Sequence, residues 1–434
     1  MNMKLITMIT ILLGFCIIFN TTTLSAYMGS LNQKNIDIDE FIIKDSINQI
    51  NESRLNYFYK NLLNFGVRYT GTPNCSKAGD WIYDEFEKMG LDVGFHEWNY
   101  DIYESRNIVA TIPGNDRNSN AIYILCAHYD TFLDSPGAND DGSGIVAIMA
   151  IAEVLSIFSF NHTIRFIAFS GEEVGAYGSY KYALEAYKRG DNIIGVLNLD
   201  IIGYAETKEG GKIIRFFHEN PSDWIAIFAQ EIAIKYYEIL NISVENLPNY
   251  PGADNQAFVD YGYDGVWIAQ HDPNLGGHSP DDTFENINIS YQMKTTKIML
   301  AVLIELAIKP IHIQVIIKSP LEGKGYINNK PVIELGFPDN FFQRLRGITI
   351  VFGRPMANVE VICNDDIKYV IFSINDAFTL WDSEPPYEWK IQGKYYPLFG
   401  RHKLKVFAYS ETGEYDTDEM EIIFFTTSYQ YGKW

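Results

Sequence analysis

The stretch Leu125-Cys-Ala-His-Tyr-Asp-Thr-Phe-Leu-Asp-Ser-Pro-Gly-Ala-Asn-Asp-Asp-Gly-Ser-Gly144 decides how this chain reads. It grows out of an apolar run, Ala121-Ile-Tyr-Ile-Leu-Cys-Ala127, with the length and composition of a buried strand. His128 and Asp130 follow at its end. A Pro136-Gly137 turn leads to the pair Asp140-Asp141, and Gly142-Ser-Gly144 opens a long apolar helix. An imidazole and carboxylates at the end of a buried strand are poor packing residues. They are good ligands for a metal ion.

Outward from this stretch the same grammar repeats. Strands are predicted over 107–113, 121–127, 163–169, 193–199 and 265–269. Helices are predicted over 39–62, 76–90, 144–159, 174–188, 221–240 and 290–308. Apolar runs without alternation, separated by helices, predict a three-layer α/β/α sandwich with a mixed, largely parallel sheet. In such sheets ligands bind at the carboxyl ends of the strands. Polar clusters fall there repeatedly: His128 and Asp130 after one strand, Glu172 and Glu173 after the next, Asp200 after the third.

Singly, each of these residues has a dull reading. Glu172-Glu173 could be a solvated pair, Asp140-Asp141 a turn or helix cap, Asp200 a turn residue, and His278 in Gly276-Gly-His-Ser-Pro a surface histidine. Together they match what a two-metal hydrolytic site requires: a bridging Asp, two His (His128 and His278), and one further carboxylate per metal, Glu173 and Asp200. Glu172 is left over as a general base, and Asp130 as the partner that orients His128 through its other ring nitrogen. His271 is the nearest competitor to His278; His96, His162, His218, His312 and His402 have no comparable company.

The chain has 434 residues and a formal net charge of −21, so neither nucleic acid nor an anionic membrane surface is an expected partner. Residues 1–26 carry Lys4, an apolar run over 5–19 and small residues up to Ala26. They predict a signal peptide or N-terminal anchor, and hence a secreted or membrane-held protein. Residues 27–60 read as an N-terminal helical or pro-segment, and 61–309 as the α/β domain. From 310 to 434 the pattern changes to short alternating runs separated by turn signals, which predicts an all-β sandwich. Cys75, Cys126 and Cys363 are widely spaced and suggest no disulfide framework.

These motifs carry a resemblance. His128-Tyr-Asp, Gly137-Ala-Asn-Asp-Asp-Gly-Ser-Gly, Phe169-Ser-Gly-Glu-Glu-Val-Gly-Ala-Tyr-Gly-Ser, Asn198-Leu-Asp and His278-Ser-Pro-Asp-Asp-Thr, in this order, resemble the M28 zinc peptidases of the aminopeptidase Y and bacterial leucyl aminopeptidase type. Arg68-Tyr-Thr-Gly-Thr-Pro and Asn107-Ile-Val-Ala-Thr-Ile-Pro-Gly extend it, so that it covers about residues 62–308. The resemblance implies two zinc ions. Asp140 rather than Asp141 would bridge them; His128 and Asp200 would complete one, Glu173 and His278 the other. It also implies Glu172 as general base, a cis peptide after the bridging Asp, and peptide or protein N-termini as substrates. A glutaminyl-cyclase-like transferase with one zinc, a carboxypeptidase and a non-catalytic binding ectodomain are the alternatives. Two positions depart from the pattern: Gly277 stands where some members have Tyr, and Ala253-Asp-Asn255 where many have Ser-Asp-His. The C-terminal segment resembles extracellular Ig-like modules, which implies attachment or spacing.

Overall fold

A computed structural model describes residues 38–219, 222–248, 252–273, 276–335, 348–363, 365–392 and 397–426. The expected signal or anchor over 1–26 lies outside these residues. The chain forms two compact units, 1–49 and 50–434. In the first, helix α1 spans Ile38–Gln49.

The second unit begins with α2, Glu52–Leu63. The single helix expected over 39–62 is therefore two, because Asn51 takes an extended backbone and caps α2, its side chain accepting from Arg54 N at 3.1 Å. Leu55, Phe58, Tyr59 and Leu62 of α2 are buried, and Arg54 pairs with Glu153. The boundary set at residue 60 thus falls inside a helix that packs on the α/β domain.

Among the described residues eight strands form one mixed sheet in the order β1-β2-β4-β3-β5-β8-β6-β7. They are β1 (Asp92–Tyr100), β2 (Tyr103–Ile112), β3 (Ile122–His128), β4 (Thr163–Phe169), β5 (Ile193–Leu199), β6 (Ile213–His218), β7 (Ser243–Pro248) and β8 (Gly265–Gln270). The four central strands, β4-β3-β5-β8, run parallel. Their register is close to flush: His128 pairs with Phe169, Cys126 with Asn198, and Leu199 with Ile268. Every residue of β3 is buried, which explains its unbroken apolar run. On one face Ile122, Ile124, Cys126, Ile167 and Phe169 pack against Tyr180, Tyr182, Ala183 and Ala186, which belong to the helix Tyr177–Arg189. The pleat turns Tyr123, Leu125 and Ala127 to the other face, where helices Gly142–Leu155 and Ile289–Ile308 pack. Each fully buried Ile or Leu contributes about 1.5–3 kcal/mol, so this double-sided core fixes where the strand ends lie.

Strands β1, β6 and β7 were not expected. β1 is a mostly exposed edge whose sequence, Asp-Val-Gly-Phe-His-Glu-Trp-Asn-Tyr, has no apolar face; it exists by pairing with β2. The helix expected over 221–240 is broken after Lys235, into Asp223–Lys235 and Tyr237–Leu240.

Among the described residues from Ile313 onward, ten strands form a seven-stranded and a three-stranded sheet around one core that includes Val315, Val359, Phe372, Trp389, Val406 and Phe424. Two neighbouring pairs in the larger sheet run parallel, Lys324–Ile327 with Thr349–Phe352 and the latter with Tyr415–Phe425. Local alternation in the sequence does not reveal that. Within the second unit, this all-β region meets the eight-stranded sheet at the amino ends of the parallel strands. There Asn192 and Gln314 exchange amide hydrogen bonds of 3.0 and 2.9 Å, and a cavity of about 1300 Å³ lies among Asn120, Ile193, Asp264, Val315 and Asp418. This cavity is at the opposite end of the strands from His128 and Asp200.

Candidate metal centre

Each of the four parallel central strands ends beside the same point. β3 delivers His128, whose side chain is 1% exposed. Its Nδ1 lies 3.1 Å from the carbonyl oxygen of Asp130. With the proton held there, the Nε2 lone pair is free. Nε2 is buried and makes no hydrogen bond, although Asp140 Oδ1 stands 3.3 Å away and Glu172 Oε2 and Asp200 Oδ1 each 3.9 Å away. The turn after β8 delivers His278, whose Nε2 lies 3.3 Å from Asp140 Oδ2 and 3.1 Å from Glu173 Oε2.

Asp140 thus turns one carboxylate oxygen to each imidazole. The donor atoms fall into three overlapping sets, each gathered within 4.8 Å: His128/Asp140/Asp200 and Asp140/Glu173/His278, which share Asp140, and His128/Glu172/Glu173. Two donors bound at about 2.0–2.1 Å to one tetrahedral ion stand about 3.4 Å apart. The separations here match that, and the buried, unpaired Nε2 and Glu173 Oε1 are what a cation would satisfy. His271, the competitor, pairs with Asp272 at 3.1 Å and belongs to none of the three sets.

Electrostatics lead the same way. Burial pushes Glu173 up to about 8, against the pull of His128, and burial raises Glu172 and Asp200 as well. Burial also works on Asp140, but the two imidazoles outweigh it and hold its carboxyl below the usual range. Four acidic side chains, Asp140, Glu172, Glu173 and Asp200, converge on two imidazoles. Divalent cations would offset that surplus, and the donor set, imidazole and carboxylate, suits zinc.

Residues 107–303 match the family model described as Peptidase family M28. This match lies within the α/β domain, which is similar to peptidase family M28. Among similar proteins is a probable zinc metalloprotease of Pyricularia oryzae, 26% identical over 337 residues; the alignment covers 62% of this chain and 66% of that protein. Leucine aminopeptidase 1 of Sclerotinia sclerotiorum is 24% identical, covering 61% and 74%. The crystal structure of the Legionella pneumophila LapA aminopeptidase superposes with a TM-score of 0.56 at 22% identity, over 64% of this chain and 76% of that one. At that identity the structural likeness speaks for the fold.

The α/β domain braces its centre with residues that sequence reasoning gave other roles or none. The Asp130 carboxylate stands 3.6 Å from His128 Nδ1, farther than its own carbonyl. Its oxygens instead accept from Thr70 Oγ1 at 2.7 Å and from the backbone N–H groups of Glu172 and Glu173 at 3.3 Å each. Asp130 therefore orients the imidazole mainly through its backbone, and the two glutamates through its side chain. Asp141, joined to Asp140 by a cis peptide, caps the helix Gly142–Leu155 by accepting from Gly144 N at 2.8 Å. It also accepts from His128 N and Ile201 N, at 3.2 and 3.3 Å, and so ties two strand ends to the helix.

Asp282 accepts from Asn139 N at 2.8 Å and Asp140 N at 3.0 Å, fixing the backbone of Asp140. Fully buried Arg68 donates to the carbonyls of Tyr129, Pro136 and Gly137 at 2.8–2.9 Å, clamping the loop between His128 and Asp140. Both lie in quoted motifs; the signal was a charged residue in a turn-rich context, without a chemical role to assign. Asp254 was also missed as a site neighbour. It is fully buried, and burial together with the Glu172 charge pushes it up to about 7. The nearby Ser179 hydroxyl is spent on the carbonyl of Ala176 at 2.9 Å, and the Asp254 oxygens make no hydrogen bond.

Proposed function

We propose that the α/β domain is a co-catalytic two-zinc aminopeptidase that hydrolyses the N-terminal bond of peptides. The observation that carries this is Asp140, with Oδ1 turned to His128 and Oδ2 to His278. His128, Asp140 and Asp200 would hold one zinc; Asp140, Glu173 and His278 the other. Bound zinc at such a site acidifies a water toward a pKa of about 7 and polarises the scissile carbonyl.

The chain's own residues supply the rest. Glu172 belongs to neither of the two sets that share Asp140, and its Oε2 stands within 3.9 Å of His128 Nε2. Its raised pKa suits a general base that takes a proton from the attacking water and returns it to the leaving amine. Asp130 fixes its backbone N–H, so the carboxylate is aimed before substrate arrives. The acidic surplus favours a substrate with a free, protonated N-terminus. A carboxypeptidase would need a cation to pair with the substrate carboxylate. Arg68, the guanidinium behind this loop, is fully buried with its N–H groups committed to backbone carbonyls. The leucine aminopeptidase and zinc metalloprotease relatives support the same reading. The apolar run over 5–19 supports a secreted or membrane-held enzyme.

A panel of aminoacyl anilides and short peptides tests the reading, with zinc counted on the same sample. Free-amine substrates should be cut and N-acetylated ones should resist. Cleavage of acetylated peptides together with resistance of C-terminally amidated ones would establish a carboxypeptidase instead. Full activity at one zinc per chain would favour a mono-zinc, glutaminyl-cyclase-like chemistry.

A further inference from the structure

The two imidazoles of the centre are held by different means. His128 is buried at a strand end, and a hydrogen bond from Nδ1 to the Asp130 carbonyl fixes its ring plane. His278 sits on a turn in the left-handed region, φ 57, with its side chain 54% exposed. Among the described residues no hydrogen bond holds its Nδ1. Its ring lies instead against Phe132, with centroids 4.6 Å apart and planes 11° from parallel.

Phe132 is 38% exposed, so it is not where the core needs an aromatic ring. Its backbone is nonetheless tied down. Its carbonyl accepts from Ser135 N at 3.1 Å and Thr131 Oγ1 at 3.2 Å, and Thr131 in turn accepts from Arg68 N at 3.0 Å. A fixed backbone carrying a half-exposed ring against a metal-ligand imidazole is a support for that ligand. Stacked rings prefer such offset, near-parallel contact.

We propose that Phe132 is a positioning residue for His278: its ring fixes the imidazole plane so that Nε2 stays between Asp140 and Glu173, and occupancy of that half of the centre depends on it. The inference rests on the two-zinc reading above. It makes the centre asymmetric. The His128 half is braced by the interior of the fold, the His278 half by one exposed aromatic contact. The ring contact of Phe132 is with His278, so its loss should leave the His128 half as it was. Partners that support a metal ligand from behind typically change metal affinity by about 10- to 100-fold.

The test uses the full chain and two readouts. In metal-stripped protein, diethylpyrocarbonate labelling is followed by peptide mass spectrometry at His278 and His128. Phe132→Ala should speed labelling of His278 by about 5-fold, since stacking is its restraint, and leave His128 unchanged. Phe132→Trp should restore the slow rate. In competition dialysis against a zinc chelator, Phe132→Ala should weaken one zinc by about 10-fold and spare the other. Unchanged labelling of His278 in Phe132→Ala, or equal weakening of both zincs, would overturn the inference. A wild-type chain that binds a single zinc would refute the two-zinc reading, while the labelling rates would still decide the role of Phe132.

Discussion

His128 Nε2 lies 3.3 Å from Asp140 Oδ1 and makes no hydrogen bond to it. A buried imidazole nitrogen and a carboxylate oxygen at that distance are placed for a shared third partner. The same carboxylate meets His278 through its other oxygen. This relationship makes Asp140 the centre of the site.

Asp140→Asn should therefore impair both metal positions, whereas Asp200→Asn and Glu173→Gln should each impair one. Equilibrium dialysis against zinc, with each variant's circular dichroism checked for native fold, separates these outcomes. Loss of a single zinc in Asp140→Asn would contradict its bridging role.

Glu172→Gln should keep the fold and both zincs, and lose about 10²–10⁴-fold in kcat. Because burial raises the Glu172 carboxyl and the base must be unprotonated, wild-type kcat should fall as pH drops through a value above the usual glutamate range. The Glu172→Gln variant should lack that acidic limb. A limb that persists unchanged would assign it to another group.

Arg68→Met should destabilise the domain by about 3 kcal/mol or more, since several buried carbonyls lose a charged donor at once. The shift of the urea midpoint measures it. Asp282→Asn should cost less stability but lower zinc affinity, because it frees the backbone beside the bridging residue.

Far from the centre, burial pushes Asp264 and Asp418 each up to about 7 in the cavity at the amino ends of the parallel strands, with a smaller contribution from neighbouring carboxylates. For an acid whose folded pKa is raised, stability is fully present below the unfolded value of about 4 and is lost as pH rises through the folded one. Thermal stability should therefore decline between pH 5 and pH 8. Asp418→Asn should flatten the decline and raise Tm at pH 8 more than at pH 5. An equal change at both pH values would contradict ionisation at this interface.

Much of the fold and of the centre was legible because the chemistry sits where apolar patterning ends. The runs before His128, Glu172 and Asp200 are strands buried on both faces, and their order along the chain follows the sheet closely enough to bring those residues together. His278 was harder, since its turn lies eight residues beyond β8 and only the quoted motif flagged it. What stayed hidden depends on contacts between distant segments. The Asp130 carboxylate reaches Thr70 and the amides of Glu172 and Glu173, over 40 residues away in either direction. Phe132 reads as a stray apolar residue until the ring of His278 is placed on it. Strand β1 carries no periodic signal because it is an exposed edge, defined by its partner β2.

On the two-zinc reading, Asp140 joins the two ions. Anomalous diffraction at the zinc absorption edge, on crystals of zinc-loaded enzyme, tests it most directly. Two peaks should flank Asp140, one at about 2.0–2.2 Å from Oδ1, His128 Nε2 and Asp200, the other at similar distance from Oδ2, Glu173 and His278 Nε2. A single peak in fully active enzyme, or two peaks of which one has no contact with Asp140, would contradict the account.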